Sequence, residues 1–276
     1  MTTIHVAHSP DSDDAFMFYA LASGKIDTEG LTYVHQLQDI ETLNHRAMRG
    51  ELEVTAVSIH AYAYLSDKYA LLPHGASMGD RYGPRLVARS PMTKADLRGK
   101  RIAIPGTLTS AYLAMRIFEP DFEPVVTPFD QIEDAVLQGQ ADVGLLIHEG
   151  QLTYADNGLH LIQDLGEWWY GETGLPLPLG GNVVRKDLGD DLTRKISRHL
   201  HDSIAYGLEH RKAALDHSMQ YARGLEREKA DTFVGMYVNE WTLDYGPRGR
   251  KAVREFLQRG VDTGFITKPV NVEFVD

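Results

Sequence analysis

A histidine stands where a buried strand is predicted to end. His148 follows the apolar run 143–147, which is typical of a strand covered on both faces. Because imidazole titrates near neutral pH, it can take a proton from a substrate and return it. We predict that His148 is the general base of a catalytic site. The alternative is a structural histidine that is hydrogen-bonded at the end of the strand.

A hydroxyl-rich loop follows another predicted strand. Thr107, Thr109 and Ser110 come after the strand 101–104 and before a helix. Their hydroxyls and the unpaired N–H groups of the first helical turn form the kind of site that binds a carboxylate or a phosphate. We predict that Thr109 and Ser110 bind an anionic substrate, although a plain helix cap at Thr109 would give the same pattern.

Ligands of open α/β sheets bind beyond the C-terminal ends of the strands, which adds two loops to the candidate site. The predicted substrate contacts in these loops are Ser9 and Asp14, after the first strand, and Ala56, Val57 and Ser58, at the end of a later strand. A plain helix cap is the alternative for Ser58. We expect the acidic first loop to cap its helix or to bind a ligand hydroxyl, because its carboxylates would repel an anion.

The sequence lacks the common motifs for metals and nucleotides. Its 12 histidines show no His-x-x-x-His or His-Glu-x-x-His spacing. It has no cysteine, which excludes disulfides, thiolate metal sites and a thiol nucleophile. It also has no glycine-rich nucleotide loop and no Gly-x-Ser-x-Gly elbow. We therefore expect no metal and no organic cofactor.

The elements that must position these loops occur twice in the same order. A strand, a loop and a helix are predicted over 4–24 and again over 101–118. Each unit is followed by a helix that begins with Ile-Glu, at 40 and 132, and then by a glycine-led turn into a strand. The pattern predicts an α/β fold with two lobes, mixed sheets, helices on both faces and a central cleft.

We predict a larger lobe from residues 1–90 and 185–276 and a smaller inserted lobe from residues 91–184. The chain would cross between them near 86–92 and near 180–185. Two crossing segments suit a hinged cleft. The helical patterns after residue 190 suit packing onto the larger lobe.

The charge balance limits the partners. With 39 acidic and 28 basic residues, the formal net charge is −11, which disfavours nucleic acid and anionic membrane surfaces. The first residues show no export-signal pattern, and no apolar run approaches a membrane span. We expect a cytoplasmic protein that binds a small anionic aromatic molecule, and we leave its oligomeric state open.

Several segments together resemble the 1,4-dihydroxy-6-naphthoate synthase family. The match runs in order from residue 4 to about residue 245. It is carried by Ser-Pro-x-x-x-Asp-x-Phe-x-Phe-Tyr-Ala-Leu at 9–21, Glu-Thr-Leu-Asn at 41–44, Pro-Gly-x-x-Thr-x-Ala-Tyr at 105–112, Ile-His-Glu at 147–149 and Thr-Gly-Leu-Pro-Leu-Pro-Leu-Gly at 173–180.

The resemblance implies a type 2 periplasmic-binding-protein fold used as an enzyme. The family converts cyclic dehypoxanthinylfutalosinate to 1,4-dihydroxy-6-naphthoate and dihydroxyacetone, on the futalosine route to menaquinone. Its proton-accepting histidine falls on His148. Its substrate-binding segments fall on 56–58 and on 109–110.

Two departures from the family bear on substrate binding. The family often has Cys-Pro-Asn where this chain has Asp-Ser-Asp at 11–13, and a lysine where it has Ala56. Arg81 and Arg85 are the candidates for a replacement cation. The alternative functions are a chorismate dehydratase of the same pathway and a small-anion binding protein without catalysis, since fold alone does not fix function.

Overall fold

A computed structural model describes residues 2–222 and 224–275. The strands of this part of the chain are β1 Thr2–His8, β2 Leu31–Leu37, β3 Val54–Ser58, β4 Tyr69–Leu71, β5 Ser77–Gly79, β6 Arg85–Ala88, β7 Arg101–Ile104, β8 Glu123–Val126, β9 Val143–Leu146, β10 His160–Asp164 and β11 Leu177–Arg185.

The α-helices begin and end as follows: α1 Ser12–Met17, α2 Tyr19–Ala22, α3 Ile40–Met48, α4 Ile59–Tyr62, α5 Ser110–Phe118, α6 Ile132–Leu137, α7 Gly150–Thr153, α8 Leu165–Thr173, α9 Asp190–Glu209, α10 Arg211–Ser218, α11 Arg227–Tyr237, α12 Glu240–Leu243 and α13 Gly246–Asp262. Within the described residues, no helix combines the length and the apolar character that a membrane span requires.

The strands form two mixed sheets. The first has the order β2-β1-β3-β11-β4, with β5 also paired to β11. The second has the order β10-β6-β9-β7-β8. In the first sheet β1 runs parallel to β2 and β3, and in the second β7 runs parallel to β8 and β9. An antiparallel strand then follows in each, β11 against β3 and β6 against β9. The predicted α/β class with mixed sheets is confirmed.

The repeated sequence pattern corresponds to this shared arrangement of strands. In the first sheet α3 precedes β3, and in the second α6 precedes β9. The loop after the first parallel strand of each sheet leads directly into a helix, α1 after β1 and α5 after β7. Equivalent loops of the two sheets therefore occupy equivalent positions at the strand ends.

The chain passes between the sheets slightly earlier than the sequence pattern suggests. It leaves the first sheet between β5 and β6 and returns between β10 and β11. The segments predicted near 86–92 and 180–185 overlap β6 and β11, whose residues pair within the second and the first sheet respectively. The division into a larger and a smaller lobe remains a prediction.

The strands nearest the candidate site are buried on both faces. Every residue of β3 and of β9 is buried, which explains their nearly continuous apolar sequences. The largest core cluster includes Trp169 of α8 and Phe256 of α13, whose rings meet edge to face at 5.4 Å. The C-terminal helix is thus packed against the segment that returns the chain to the first sheet.

Helix α8 also approaches the backbone of the 79–84 segment so closely that only glycine fits at one position. A Cβ atom on Gly166 would lie 1.8 Å from the Tyr82 carbonyl oxygen. Gly171, on an exposed part of the same helix, has open space around it, since a Cβ atom there would have no neighbouring atom within 4 Å. The two glycines thus offer a matched comparison.

We predict that Gly166→Ala lowers the free energy of unfolding by about 1–3 kcal/mol, because backbone must shift to relieve the overlap. The control Gly171→Ala should raise it by roughly 0.5–1 kcal/mol through reduced backbone entropy in the unfolded state. Urea denaturation of both variants checks this. Equal effects of the two substitutions would contradict the close approach of α8 to Tyr82.

Candidate active site

A cleft of about 130 Å³ lies between the two sheets, at the ends of β1, β3, β7 and β9. The predicted contacts that line it are Ser9, Asp14, Ala56, Val57, Ser58, Thr109 and Ser110. Other lining residues are Asp11, Asp13, Met17, Ile40, Gly75, Ser77, Pro84, Ala111, Ile147, Gln151, Leu179, Gly180, Gly181, Asn182, Phe233 and Tyr237. The four strand-end loops of the prediction therefore meet in one place, although His148 itself is not among the lining residues.

Ser58 is held by an asparagine from the preceding helix. The Asn44 side chain accepts a hydrogen bond from the Ser58 N–H at 2.9 Å and donates one to its hydroxyl oxygen at 3.1 Å. The Ser58 side chain makes no cap hydrogen bond to α4. With the oxygen already accepting from Asn44, its own O–H can be directed to a ligand.

The hydroxyls of Thr109 and Ser110 are already bonded within the protein. Thr109 donates to the Gly106 carbonyl at 2.9 Å and caps α5 by accepting from the Tyr112 N–H at 3.2 Å. Ser110 donates to the Leu179 carbonyl and accepts from the His60 N–H at 3.1 Å. The alternative interpretation of Thr109 as a cap thus describes what the hydroxyl does here. Binding a carboxylate by donation would require these hydroxyls to turn.

A carboxylate of the protein occupies part of the proposed anion loop. Glu41 of α3 accepts a hydrogen bond from the Leu108 N–H, at 3.2 and 3.3 Å to its two oxygens. Gly106 leaves the space for it, since a Cβ there would lie 2.3 Å from Glu41 Cδ. Glu41 therefore links the first sheet to the loop that follows β7.

The acidic first loop carries two carboxyl groups with strongly raised pKa values. Desolvation, together with Asp14 and Glu149, raises the pKa of Asp13 to about 8. Desolvation and Asp11 raise the pKa of Asp14 to about 7, against the opposing effect of the hydrogen bond it accepts from the Ser9 N–H at 2.7 Å. Near neutral pH a substantial fraction of these groups is uncharged and can donate hydrogen bonds.

Neither arginine proposed as a replacement cation lines the cleft. Arg81 is exposed and donates to the Tyr170 hydroxyl at 2.8 Å. Arg85 pairs with Asp164 at 3.3 Å and donates to the Gln151 carbonyl. Among the described residues that line the cleft, the ionisable side chains are Tyr237 and the aspartates of the first loop. A substrate carboxylate would therefore be bound by neutral donors.

In the sequence His148 stands between two residues that line the cleft, Ile147 and Gln151. Its Nδ1 accepts a hydrogen bond from the Gly150 N–H at 3.0 Å, and its ring meets Phe129 edge to face at 5.4 Å. Because a backbone N–H can only donate, the neutral imidazole carries its hydrogen on Nε2 in this arrangement. Accepting a proton thus requires the bond to Gly150 to open.

Sequence reasoning missed the part of the wall contributed by Gln151, Asn182 and the C-terminal helix α11. Gln151 follows His148 by three residues, and this short separation could have revealed it. Tyr237 and Phe233 share one face of α11, but their pattern looks like that of any core-facing helix. Nothing in the local sequence ties them to the cleft.

The raised pKa of Asp13 gives a prediction about stability. Between pH 4 and pH 8 the unfolded chain ionises this carboxyl while the folded protein resists ionisation, so the group destabilises the fold increasingly as pH rises. Asp13→Asn should raise the free energy of unfolding at pH 8 by at least about 1 kcal/mol, since one pKa unit corresponds to ~1.4 kcal/mol. The gain should disappear near pH 4.

Urea denaturation at pH 4, 6 and 8 measures this effect. The exposed Asp130 serves as the control, since Asp130→Asn should stay within about 0.5 kcal/mol of the parent at each pH. A gain for Asp13→Asn that is independent of pH would show that the carboxyl is not desolvated in the folded protein.

The chain matches a known protein family over most of its length. A family model described as menaquinone biosynthesis matches residues 4–262. A 1,4-dihydroxy-6-naphthoate synthase of Thermus thermophilus is 40% identical over 253 residues, covering 92% of this chain and 92% of the relative. A protein of the same name from Streptomyces coelicolor is 37% identical over 270 residues, covering 96% and 95%.

Solved structures of other proteins also identify the fold. A protein of Archaeoglobus fulgidus matches with a TM-score of 0.92 and 48% identity, over 95% of this chain and 98% of its own. The periplasmic aliphatic sulphonate binding protein of Escherichia coli matches with a TM-score of 0.66 and 12% identity, over 99% and 91%, which supports the fold alone. The expected periplasmic-binding-protein fold is confirmed, and the chain is an enzyme of the menaquinone biosynthesis family.

Proposed function

We propose that this enzyme converts cyclic dehypoxanthinylfutalosinate to 1,4-dihydroxy-6-naphthoate and dihydroxyacetone by breaking a carbon–carbon bond. The observation that carries the proposal is the match to two naphthoate synthases over more than nine tenths of the chain. We expect the reaction to take place in the cytoplasm. We also expect it to need no cofactor, because cleavage followed by aromatisation involves no net oxidation or reduction.

The composition of the cleft suits a small anionic aromatic substrate. Met17, Ile40 and Phe233 supply apolar contacts for a ring system. Hydroxyl and neutral carboxyl groups, such as those of Ser58 and Asp13, supply donors for oxygen atoms. Removing water from such a cleft strengthens each of these hydrogen bonds.

In the proposed reaction His148 takes the proton of a sugar hydroxyl. The O–H electrons form a ketone on the ring, the carbon–carbon bond breaks, and its electron pair moves onto a carbonyl oxygen of the departing three-carbon fragment, which becomes an enolate. Protonation of this enolate gives dihydroxyacetone, and tautomerisation of the ring diketone gives the aromatic diol. The place of His148 in the sequence, directly after the cleft residue Ile147, supports this role.

The hydrogen bond from Gly150 to His148 Nδ1 must break before His148 can accept a proton at this nitrogen. The imidazole would have to turn away from Gly150 to present a lone pair to the hydroxyl. Its side chain is only partly buried, which leaves room for the ring to turn.

We predict that purified protein incubated with cyclic dehypoxanthinylfutalosinate yields 1,4-dihydroxy-6-naphthoate, detected by mass spectrometry. His148→Ala should lower turnover by at least about a hundredfold, the usual scale of acid–base catalysis, while substrate still binds. The control His160→Ala changes an exposed histidine on β10 and should keep turnover within about twofold.

Wild-type turnover in His148→Ala would contradict the role of this histidine but leave the reaction in place. Absence of product with every variant would contradict the reaction itself. Loss of water from chorismate, tested in the same assay, would then identify the enzyme as a dehydratase.

A further inference from the structure

Gln151 has a buried hydrogen-bond donor without a partner at the cleft. The residue lies on α7 with 1% of its surface exposed, and it is one of the lining residues. Its Nε2 is buried and makes no hydrogen bond with any residue in 2–222 or 224–275. Because an amide nitrogen carries two hydrogens, two donors are unused. Buried polar groups are nearly always paired, so this exception calls for a partner from outside the chain.

The other end of the same amide is fixed. The Tyr237 hydroxyl donates to Gln151 Oε1 at 2.7 Å. Burial raises the pKa of Tyr237 far above its ordinary value, so the phenol stays a neutral donor. The main-chain carbonyl of Gln151 in turn accepts from Arg85. The tyrosine holds Oε1 and thereby leaves Nε2 as the free end.

We propose that Gln151 contacts the substrate and that its Nε2 donates a hydrogen bond to a substrate oxygen, either the carboxylate or the carbonyl oxygen that receives the electron pair of the broken carbon–carbon bond. The inference rests on the proposed function for the identity of the ligand. Tyr237 is the corresponding positioning residue. Both oxygens are acceptors, and an amide donor suits a cleft whose lining includes neither lysine nor arginine among the described residues.

The two candidate substrate oxygens carry negative charge at different stages of the reaction. A carboxylate is charged in the bound substrate and in the transition state alike, so its contact affects mainly KM. The carbonyl oxygen of the departing fragment gains negative charge only as the carbon–carbon bond breaks, so its contact affects mainly kcat. The kinetic parameter that changes therefore identifies the oxygen that Gln151 binds.

The test is Gln151→Met, which keeps the length of the side chain and removes the donor. We expect kcat/KM for cyclic dehypoxanthinylfutalosinate to fall roughly tenfold to a hundredfold. Gln163→Met is the matched control, since Gln163 is a partly buried glutamine on β10 outside the cleft, and it should stay within about twofold. Thermal unfolding of both variants reports any loss of folding.

Tyr237→Phe separates a positioning role from a general loss of structure. It should lower the same kinetic parameter as Gln151→Met, but by less. The Gln151 amide is still present in this variant and loses only the hydrogen bond that fixes its orientation. In a Gln151→Met background the additional Tyr237→Phe change should have almost no effect on that parameter. Additive effects of the two substitutions would contradict the positioning role of Tyr237.

Binding of 1,4-dihydroxy-6-naphthoate, followed by its fluorescence, distinguishes failure of this inference from failure of the proposed function. Wild-type protein that binds this compound but makes no product would contradict the reaction, while weaker binding by Gln151→Met would still support the contact. Unchanged kinetics and unchanged binding in a folded Gln151→Met variant would overturn the inference.

Discussion

Desolvation of the carboxyl groups in the first loop is the constraint on which the rest of the cleft depends. Asp13 and Asp14 both line the cleft. Their raised pKa values mean that the desolvation of the charged carboxylates is larger than the stabilisation they gain from nearby hydrogen bonds. The fold tolerates this because the groups can hold a proton. In the proposed function the same groups act as donors, which would let an acidic protein of net charge −11 bind an anion in a cleft whose described lining includes neither lysine nor arginine.

The two sheets are joined across the cleft by hydrogen bonds between the elements that carry the site. Glu41 of α3 meets the Leu108 N–H, Ser12 of α1 donates to Glu149 at 3.3 Å, and Tyr237 of α11 meets Gln151. Each contact pairs a residue associated with the first sheet and one associated with the second. The hydrogen bonds that position the proposed ligand contacts therefore also link elements of the two sheets.

Local patterns in the sequence predicted the strand-end loops that meet at the cleft, whereas the substrate contacts in those loops stay predictions. The apolar run before His148 and the hydroxyls at 109–110 are visible without any tertiary information, and the repeated order of elements indicated the class of fold. The hydrogen-bond partners of the hydroxyls could not be predicted from the local sequence, because those of Ser110 lie 69 and 50 residues away along the chain. The Tyr237–Gln151 contact spans 86 residues and was hidden for the same reason.

A crystal structure of the protein with 1,4-dihydroxy-6-naphthoate tests the role of the cleft most directly. We expect the ligand to lie between the six-stranded and the five-stranded sheet, with its oxygens within hydrogen-bonding distance of Ser58 and of the first-loop carboxyl groups. Ligand bound elsewhere, with the Glu41 and Tyr237 contacts still formed, would contradict this role.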